Sequence, residues 1–225
     1  MTLPLQERLE RLRARMVEAA QQSGRSADSV RLVAVSKKQP IESIRSLYHL
    51  GQRAFGENYA QELQEKAAAL QDLQIEWHFI GPFQTNKAKV LATCASWVET
   101  IGSVHAAQEF GRRVSQKDRA PVPVLVQVNV GGSPQKHGCT PGDLREVLDA
   151  VEREPSLHLR GLMTIPEEAN AQHGFETLST LRLLHGGITR LPELSMGMSQ
   201  DLDLAIAAGA TIVRVGTALF GPRLR

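Results

Sequence analysis

The stretch Leu32-Val33-Ala34-Val35-Ser36-Lys37 places a lysine directly after a run of apolar, mostly β-branched residues. Such a run predicts a buried β-strand over residues 31–36, and the lysine falls where that strand ends. An amine at the end of a buried strand is partly desolvated, which favours its neutral, nucleophilic form. Lysines that follow strands are also commonly solvated surface residues, so this stretch alone leaves both interpretations open.

A second stretch, near the other end of the chain, has the same organisation. Thr211-Ile212-Val213-Arg214-Val215-Gly216-Thr217 predicts a strand that runs into an arginine, a glycine and a hydroxyl. An arginine within a buried strand needs an anion, a ring nitrogen or solvent, and a glycine lets a phosphate approach the main chain closely. An amine that can form an imine, together with a phosphate-binding segment, suggests a site for pyridoxal phosphate.

Strand and helix patterns alternate between these two stretches. We predict strands at residues 31–36, 54–56, 75–80, 96–99, 122–130, 157–163, 193–196 and 211–215, with helices between them. This order predicts an α/β fold, a (β/α)8 TIM barrel. An open doubly wound sheet is the alternative, and it is disfavoured because no Gly-x-Gly-x-x-Gly turn follows the first strand.

The N-terminal segment predicts one further element. Leu5, Leu9, Leu12 and Met16 recur at helical spacing and indicate an amphipathic helix that ends near Gly24. We therefore expect a single domain over residues 1–225, with an extra N-terminal helix at 1–24 and the barrel at 30–225.

Polar residues before three of the predicted helices suggest capping. We expect Asn58 to cap the helix after the second strand, Thr140 to cap a helix that starts at Pro141, and Ser199 to cap the helix before the last strand. Capping alone would explain these residues without any functional role.

Composition argues against several other classes of protein. The formal net charge is +2 with acidic and basic residues interspersed, so nothing indicates a nucleic-acid surface. The histidines lack the paired spacing of a metal site. Cys94 and Cys139 lie far apart, no secretory signal is evident and no apolar run could span a bilayer. We therefore expect a cytoplasmic protein without nucleic-acid, membrane or metal partners.

In a barrel of this kind, functional side chains lie at the C-terminal ends of the strands. The candidates for cofactor binding are Lys37, Asn58, His78, Met163, Ser199, Arg214, Gly216 and Thr217. Some have a structural alternative: Gly216 can simply turn the chain, and His78 can be a half-buried strand residue.

Six motifs, in the same order along the chain, resemble the pyridoxal phosphate homeostasis protein family. They are Ala34-Val35-Ser36-Lys37, Phe55-Gly56-Glu57-Asn58-Tyr59, the segment 77–87, Gly161-Leu162-Met163, Ser195-Met196-Gly197-Met198-Ser199 and the segment 213–221. The resemblance runs from about residue 30 to the C-terminus. This sequence departs from many members of the family at Lys38, where threonine is common, and at Phe83, where leucine is common.

The resemblance implies a fold similar to the N-terminal barrel of alanine racemase and other fold-type III enzymes that bind pyridoxal phosphate. It implies that Lys37 forms the internal aldimine and that Arg214 faces the pyridine nitrogen. It also implies that Ser199, Gly216 and Thr217 bind the phosphate. An arginine beside the ring nitrogen keeps that nitrogen unprotonated, so the ring is a poorer electron sink.

The function implied by the resemblance is a carrier or buffer of pyridoxal phosphate in vitamin B6 and amino-acid homeostasis, with dependent apoenzymes as candidate acceptors. Racemases need a second base, a tyrosine from a C-terminal domain that also forms their dimer. This chain ends at Arg225 and has only Tyr48 and Tyr59. We therefore expect a monomer without catalytic residues. A weak amino-acid racemase is the enzymatic alternative, and a phosphosugar-metabolising barrel, which predicts no chromophore, is a third.

Overall fold

The computed structural model describes residues 3–133 and 135–221, which form a closed barrel of eight parallel strands. Each strand pairs with the next, and the last pairs with the first. The strands are β1 (Arg31–Val35), β2 (Ala54–Glu57), β3 (Glu76–Phe79), β4 (Trp97–Ile101), β5 (Val122–Gln127), β6 (Leu157–Met163), β7 (Glu193–Ser195) and β8 (Ile212–Val215). The predicted (β/α)8 barrel is confirmed, and the open sheet is wrong because the sheet closes on itself.

Helices cover the outside of the barrel. They are α1 (Leu5–Gln22), α2 (Ile41–His49), α3 (Ala60–Ala69), α4 (Ala88–Cys94), α5 (Val104–Val114), α6 (Leu144–Glu152), α7 (Ala171–Leu184), α8 (Gly187–Arg190), α9 (Leu202–Ala207) and α10 (Thr217–Phe220). The extra N-terminal helix α1 packs against α9 and α10, next to the point where the barrel closes. In the described part of the chain, no helix combines the length and the hydropathy needed to cross a bilayer.

Two predicted boundaries in the middle of the chain are wrong. β5 stops at Gln127, and Val128 beyond it makes only an isolated bridge with Cys139. Helix α6 begins at Leu144, three residues later than predicted, because Thr140 forms a turn with Asp143. The Thr140 hydroxyl donates to the Asp143 carboxylate at 2.7 Å and accepts from its backbone N–H at 3.2 Å.

The predicted helix caps at Asn58 and Ser199 are also wrong. Helix α3 starts after Tyr59 and has no side-chain cap, while the Asn58 Oδ1 atom is buried without a hydrogen-bond partner among the described residues. Helix α9 starts after Asp201, and the Ser199 hydroxyl instead accepts from the backbone N–H of Ala218 at 3.3 Å. The chain uses additional residues to turn from each strand onto its helix, so these side chains lie in the connecting loops.

The hydrophobic core has two parts. The larger part lies between the strands and the helices, where apolar side chains from both layers meet. The smaller part fills the inside of the barrel and consists of Val33, Ala54, Trp97, Leu125, Met163 and Ile212. Alternation of side chains along each strand produces this division, because successive residues point to opposite faces.

Gly161 in β6 provides a test of the barrel's packing. Its φ is +153°, and a Cβ atom there would lie 1.9 Å from the carbonyl oxygen of Glu193 on β7. We expect Gly161→Ala to lower the free energy of unfolding by about 2–4 kcal/mol, measured by urea denaturation. The control is Gly131→Ala, where a Cβ meets no atom within 4 Å. Equal stability of the two variants would contradict the described β6–β7 contact.

Candidate functional site

A cavity of about 630 Å³ lies at the C-terminal mouth of the barrel, among the loops that follow β1, β5, β6, β7 and β8. Five of the eight predicted site residues line it: Lys37, Ser199, Arg214, Gly216 and Thr217. The pairing of β8 with β1 explains this grouping, since it joins segments from opposite ends of the chain. The site therefore combines an amine, a guanidinium and two hydroxyls around one space.

The structure does not bring the other three candidates to the lining of this cavity. Met163 is fully buried in the interior part of the core, where its position in β6 directs it. His78 is fully buried inside the barrel between two carboxylates. Asn58 lies in the loop after β2, half-buried. Their predicted contacts with a cofactor therefore have no support in this geometry.

Lys37 occupies a tight turn directly after β1. The next residue, Lys38, has a φ of +59°, a left-handed conformation that is uncommon for residues other than glycine. The Lys38 backbone N–H donates to the Glu62 carboxylate at 2.5 Å. This bond anchors the unusual turn from helix α3, so the half-buried Lys37 side chain starts from a defined backbone.

A buried lysine secures the other side of the turn. The Lys66 ammonium donates to the Ser36 carbonyl at 2.6 Å, to the Glu57 carboxylate at 2.8 Å and to the Glu62 carboxylate at 2.7 Å. The Ser36 hydroxyl also donates to Glu57, at 2.6 Å. We call Ser36, Glu57, Glu62 and Lys66 the Lys66 clamp. It holds the residues on both sides of Lys37.

The charges of the Lys66 clamp are not fully balanced. Glu57 is fully buried, and its second carboxylate oxygen has no hydrogen-bond partner among the described residues. Burial raises the pKa of Glu57 above its ordinary value, although the Lys66 charge acts in the opposite direction. Loss of the ammonium would leave this carboxylate without its main compensating charge.

Arg214 enters the cavity from β8 and is nearly fully buried. Its guanidinium donates to the Ser195 hydroxyl at 2.7 Å and to the Thr164 carbonyl at 2.9 Å. Burial lowers the pKa of Arg214, while Glu99 and Asp201 act to raise it. An arginine pKa is ordinarily so high that the group stays charged at neutral pH.

Behind Arg214, hydrogen bonds continue through the inside of the barrel. The Ser195 hydroxyl donates to Glu99 at 2.5 Å, and the other Glu99 oxygen lies 2.5 Å from His78 Nδ1. His78 Nε2 lies 2.7 Å from Glu76, and the His78 ring stacks on Trp97. We call Arg214, Ser195, Glu99, His78 and Glu76 the interior chain.

The interior chain also shifts the protonation of its members. Burial disfavours a charged His78, but hydrogen bonds to Glu76 and Glu99 hold its pKa above the ordinary value. Burial likewise opposes the ionised form of Glu99, yet the His78 hydrogen bond and charge hold the pKa of this carboxyl below its usual range. The His78 hydrogen bond lowers the pKa of Glu76 as well. The geometry therefore favours a charged imidazole between two carboxylates.

The loops after β7 and β8 meet at the cavity. The Ser199 hydroxyl contacts the backbone N–H of Ala218, in the first turn of α10. A Cβ on Gly216 would lie 3.3 Å from the Val35 carbonyl oxygen, so glycine lets this turn pack against the end of β1. Backbone N–H groups and the hydroxyls of Ser199 and Thr217 can together bind a phosphate.

The sequence analysis assigns no role to Glu57, Glu99 or Ser195, although Glu57 and Ser195 stand within two of the family motifs. A signal existed for the two glutamates, because each stands in a strand that is otherwise buried. A carboxylate in such a strand requires a partner. Ser195 gave no comparable signal, since a buried serine needs only one local hydrogen bond.

The chain matches known families over almost its whole length. Residues 8–223 match the family described as alanine racemase, N-terminal domain. The chain is 47% identical over 225 residues to the pyridoxal phosphate homeostasis protein of Pseudomonas aeruginosa, covering 96% of this chain and 95% of that protein. It is 40% identical over 223 residues to the protein of that name from Escherichia coli, with 96% and 95% coverage.

These matches place the chain among proteins built on the alanine racemase barrel. Within that class it belongs to the pyridoxal phosphate homeostasis protein family, as its motifs predict.

Solved structures agree with this placement. PipY of Synechococcus elongatus with pyridoxal phosphate bound superposes with a TM-score of 0.82 at 36% identity, covering 97% of this chain and 100% of that chain. The alanine racemase of Corynebacterium glutamicum superposes with a TM-score of 0.65 at 17% identity, covering 96% of this chain and 62% of that chain. At that identity, the racemase likeness concerns the fold alone.

The Lys66 clamp can be tested without any ligand. We expect Lys66→Met to lower the free energy of unfolding by about 3–5 kcal/mol in urea, because it leaves the buried Glu57 carboxylate without its ammonium. The exposed Lys89 on α4 provides the control, Lys89→Met, which should change stability little. Adding Glu57→Gln to Lys66→Met should recover part of the loss. A Lys66→Met protein as stable as the control would show that the clamp contributes nothing.

Proposed function

We propose that this protein binds pyridoxal 5'-phosphate in the cavity at the C-terminal mouth of the barrel and serves in pyridoxal phosphate and amino-acid homeostasis. One observation carries the proposal: Lys37, Arg214, Ser199 and Thr217 line a single cavity. Membership of the family supports it, as does the bound pyridoxal phosphate of PipY, a relative of nearly the same length.

The residues fit the chemical groups of this cofactor. Lys37 supplies an amine for a covalent bond to the aldehyde, and the clamped turn holds that amine at the cavity. Ser199, Gly216 and Thr217, which line the cavity, would hold the phosphate. The Arg214 guanidinium would face the ring nitrogen. The cavity volume of about 630 Å³ leaves space for the cofactor and for a small amine beside it.

The reactivity expected at this site follows from Arg214. When bound, pyridoxal phosphate supplies an aldehyde that captures amines and a conjugated ring that withdraws electrons. Because an arginine ordinarily stays charged at neutral pH, Arg214 would leave the ring nitrogen of a bound cofactor unprotonated and so limit electron withdrawal. This arrangement favours holding the cofactor over activating an α-hydrogen.

The positions of the tyrosines also favour a role without catalysis. Racemisation requires proton transfer at both faces of the α-carbon. The Tyr48 hydroxyl accepts from the Gln74 backbone N–H at 3.2 Å, and its ring stacks against Arg53. Tyr59 precedes α3 and is half exposed. Neither tyrosine lines the cavity, so neither is placed to serve as the base opposite Lys37.

The cellular setting forms part of the same proposal. We place the protein in the cytoplasm as a monomer that passes its cofactor to pyridoxal phosphate-dependent apoenzymes. Both cysteines are unpaired, and burial raises the pKa of Cys94 to about 11 and that of Cys139 to about 12. Thiols with such pKa values are poorly reactive. Light scattering after gel filtration measures the oligomeric state.

The covalent attachment point is the first functional test. Protein mixed with pyridoxal phosphate should develop a visible absorption band, and borohydride reduction with peptide mapping should place the label on Lys37. Lys37→Ala should lose the band while retaining its circular dichroism. Lys38→Asn is the adjacent control, because asparagine tolerates the positive φ at that position.

A label on Lys38 or Lys136 in the parent protein would contradict the assignment of Lys37. Absence of any visible band would instead favour the phosphosugar alternative.

The absence of racemase activity is the second functional test. A missing acid–base partner costs about 10²–10⁴-fold in rate. In deuterated water, the loaded protein should exchange the α-hydrogen of L- or D-alanine no faster than free pyridoxal phosphate does, measured by proton NMR. Exchange at an enzymatic rate that Lys37→Ala abolishes would make the protein a single-barrel racemase.

A further inference from the structure

The hydrogen bonds of the interior chain have a defined direction. A guanidinium can only donate, so Arg214 donates to the Ser195 oxygen at 2.7 Å. The single hydroxyl proton of Ser195 is then directed at Glu99, 2.5 Å away. Glu99 must therefore accept at this oxygen, which an ionised carboxylate does best. The charge of Arg214 is thus linked through one hydroxyl to a buried carboxylate.

His78 determines the state of that carboxylate. Its two ring nitrogens each face a carboxylate oxygen, from Glu99 at 2.5 Å and from Glu76 at 2.7 Å. With both carboxylates ionised, both nitrogens donate and the ring carries a proton on each. Glu76 in turn accepts from Arg31 at 3.0 Å. Positive and negative groups therefore alternate along the barrel from Arg214 to Arg31.

Filling the inside of a barrel with charged groups costs desolvation free energy. The neighbouring interior residues are apolar, and apolar side chains of similar volume commonly stabilise a core at least as well as buried ions do. Of the five residues of the interior chain, Arg214 is the one that lines the cavity. A guanidinium fixed at two of its nitrogens is preorganised toward a planar ligand.

We propose that Glu99, held ionised by His78, is a positioning residue that fixes the orientation of Arg214 through Ser195 and compensates its charge. Asp201, at the cavity, is a second acidic group that acts on Arg214. Asp201 lies at the cavity, whereas Glu99 lies behind the guanidinium, inside the barrel. The effect on pyridoxal phosphate binding rests on the function proposed above, whereas the effect on Arg214 itself does not.

Two variants test the effect on binding. Glu99→Gln keeps the shape of the side chain but removes its charge, and Ser195→Ala removes the connecting hydroxyl. Each should raise the dissociation constant for pyridoxal phosphate by about tenfold or more, as expected for loss of a hydrogen bond to a charged group. Glu109→Gln is the control, since its carboxylate pairs with Arg112 and Arg113 on the outer helix α5. Its affinity should equal that of the parent.

NMR of the cofactor-free protein supplies a readout that weakened packing alone would not reproduce. In the parent at neutral pH, both His78 ring nitrogens should be protonated, and the Arg214 guanidinium should show the restricted rotation of a group bonded at two nitrogens. In Glu99→Gln, His78 should lose one ring proton, because an amide accepts at one atom only. In Ser195→Ala, the Arg214 guanidinium should rotate faster than in the parent, because only its bond to the Thr164 carbonyl remains.

The outcomes separate this inference from the proposed function. If the parent binds pyridoxal phosphate and folded Glu99→Gln and Ser195→Ala bind it equally well, the positioning role is overturned and the proposed function stands. If the parent does not bind it, the proposed function fails, and NMR alone decides the positioning role. In that case, unchanged Arg214 and His78 signals in the two variants would overturn the positioning role. The changes in those signals described above would support the positioning role.

Discussion

The pairing of β1 with β8 closes the barrel and also sets the position of the candidate site. Four residue pairs, from Arg31 with Ile212 to Ala34 with Val215, close the sheet into a barrel. Because β1 leads into Lys37 and β8 carries Arg214, the same pairing brings the amine and the guanidinium to one mouth. Helix α1 packs on α9 and α10 beside this junction, so the N-terminal helix supports the closure from outside.

Two sets of mostly buried charged groups then position Lys37 and Arg214. The Lys66 clamp holds the residues before and after Lys37, and the interior chain ends on the Arg214 guanidinium. Neither set adds much to the free energy of unfolding compared with apolar packing, because desolvating charged groups offsets most of their attraction. Their common property is that each fixes the geometry of one side of the cavity. Stability and site geometry are therefore coupled at the same residues, notably Glu57 and Glu99.

The likeness to alanine racemase concerns the barrel. The barrel is shared with a TM-score of 0.65 at 17% identity, which concerns the fold. A lysine and an arginine around one cavity suit the binding of pyridoxal phosphate, while proton transfer at both faces of an α-carbon needs a second base. The two tyrosines of this chain, Tyr48 and Tyr59, both lie away from the cavity lining. Binding without turnover is therefore the role that we propose for this combination.

Local patterns in the sequence were enough to predict the barrel and two principal groups at the cavity. Apolar periodicity is a local property, so it located the strands, and the strand ends identified Lys37 and Arg214. The folded structure was needed to show that His78 and Met163 point into the barrel and that Ser199 contacts Ala218 instead of capping α9. It was also needed to identify the partners of Glu57 and Glu99. These contacts join strands and helices distant in sequence, and their geometry exists only once the barrel has closed.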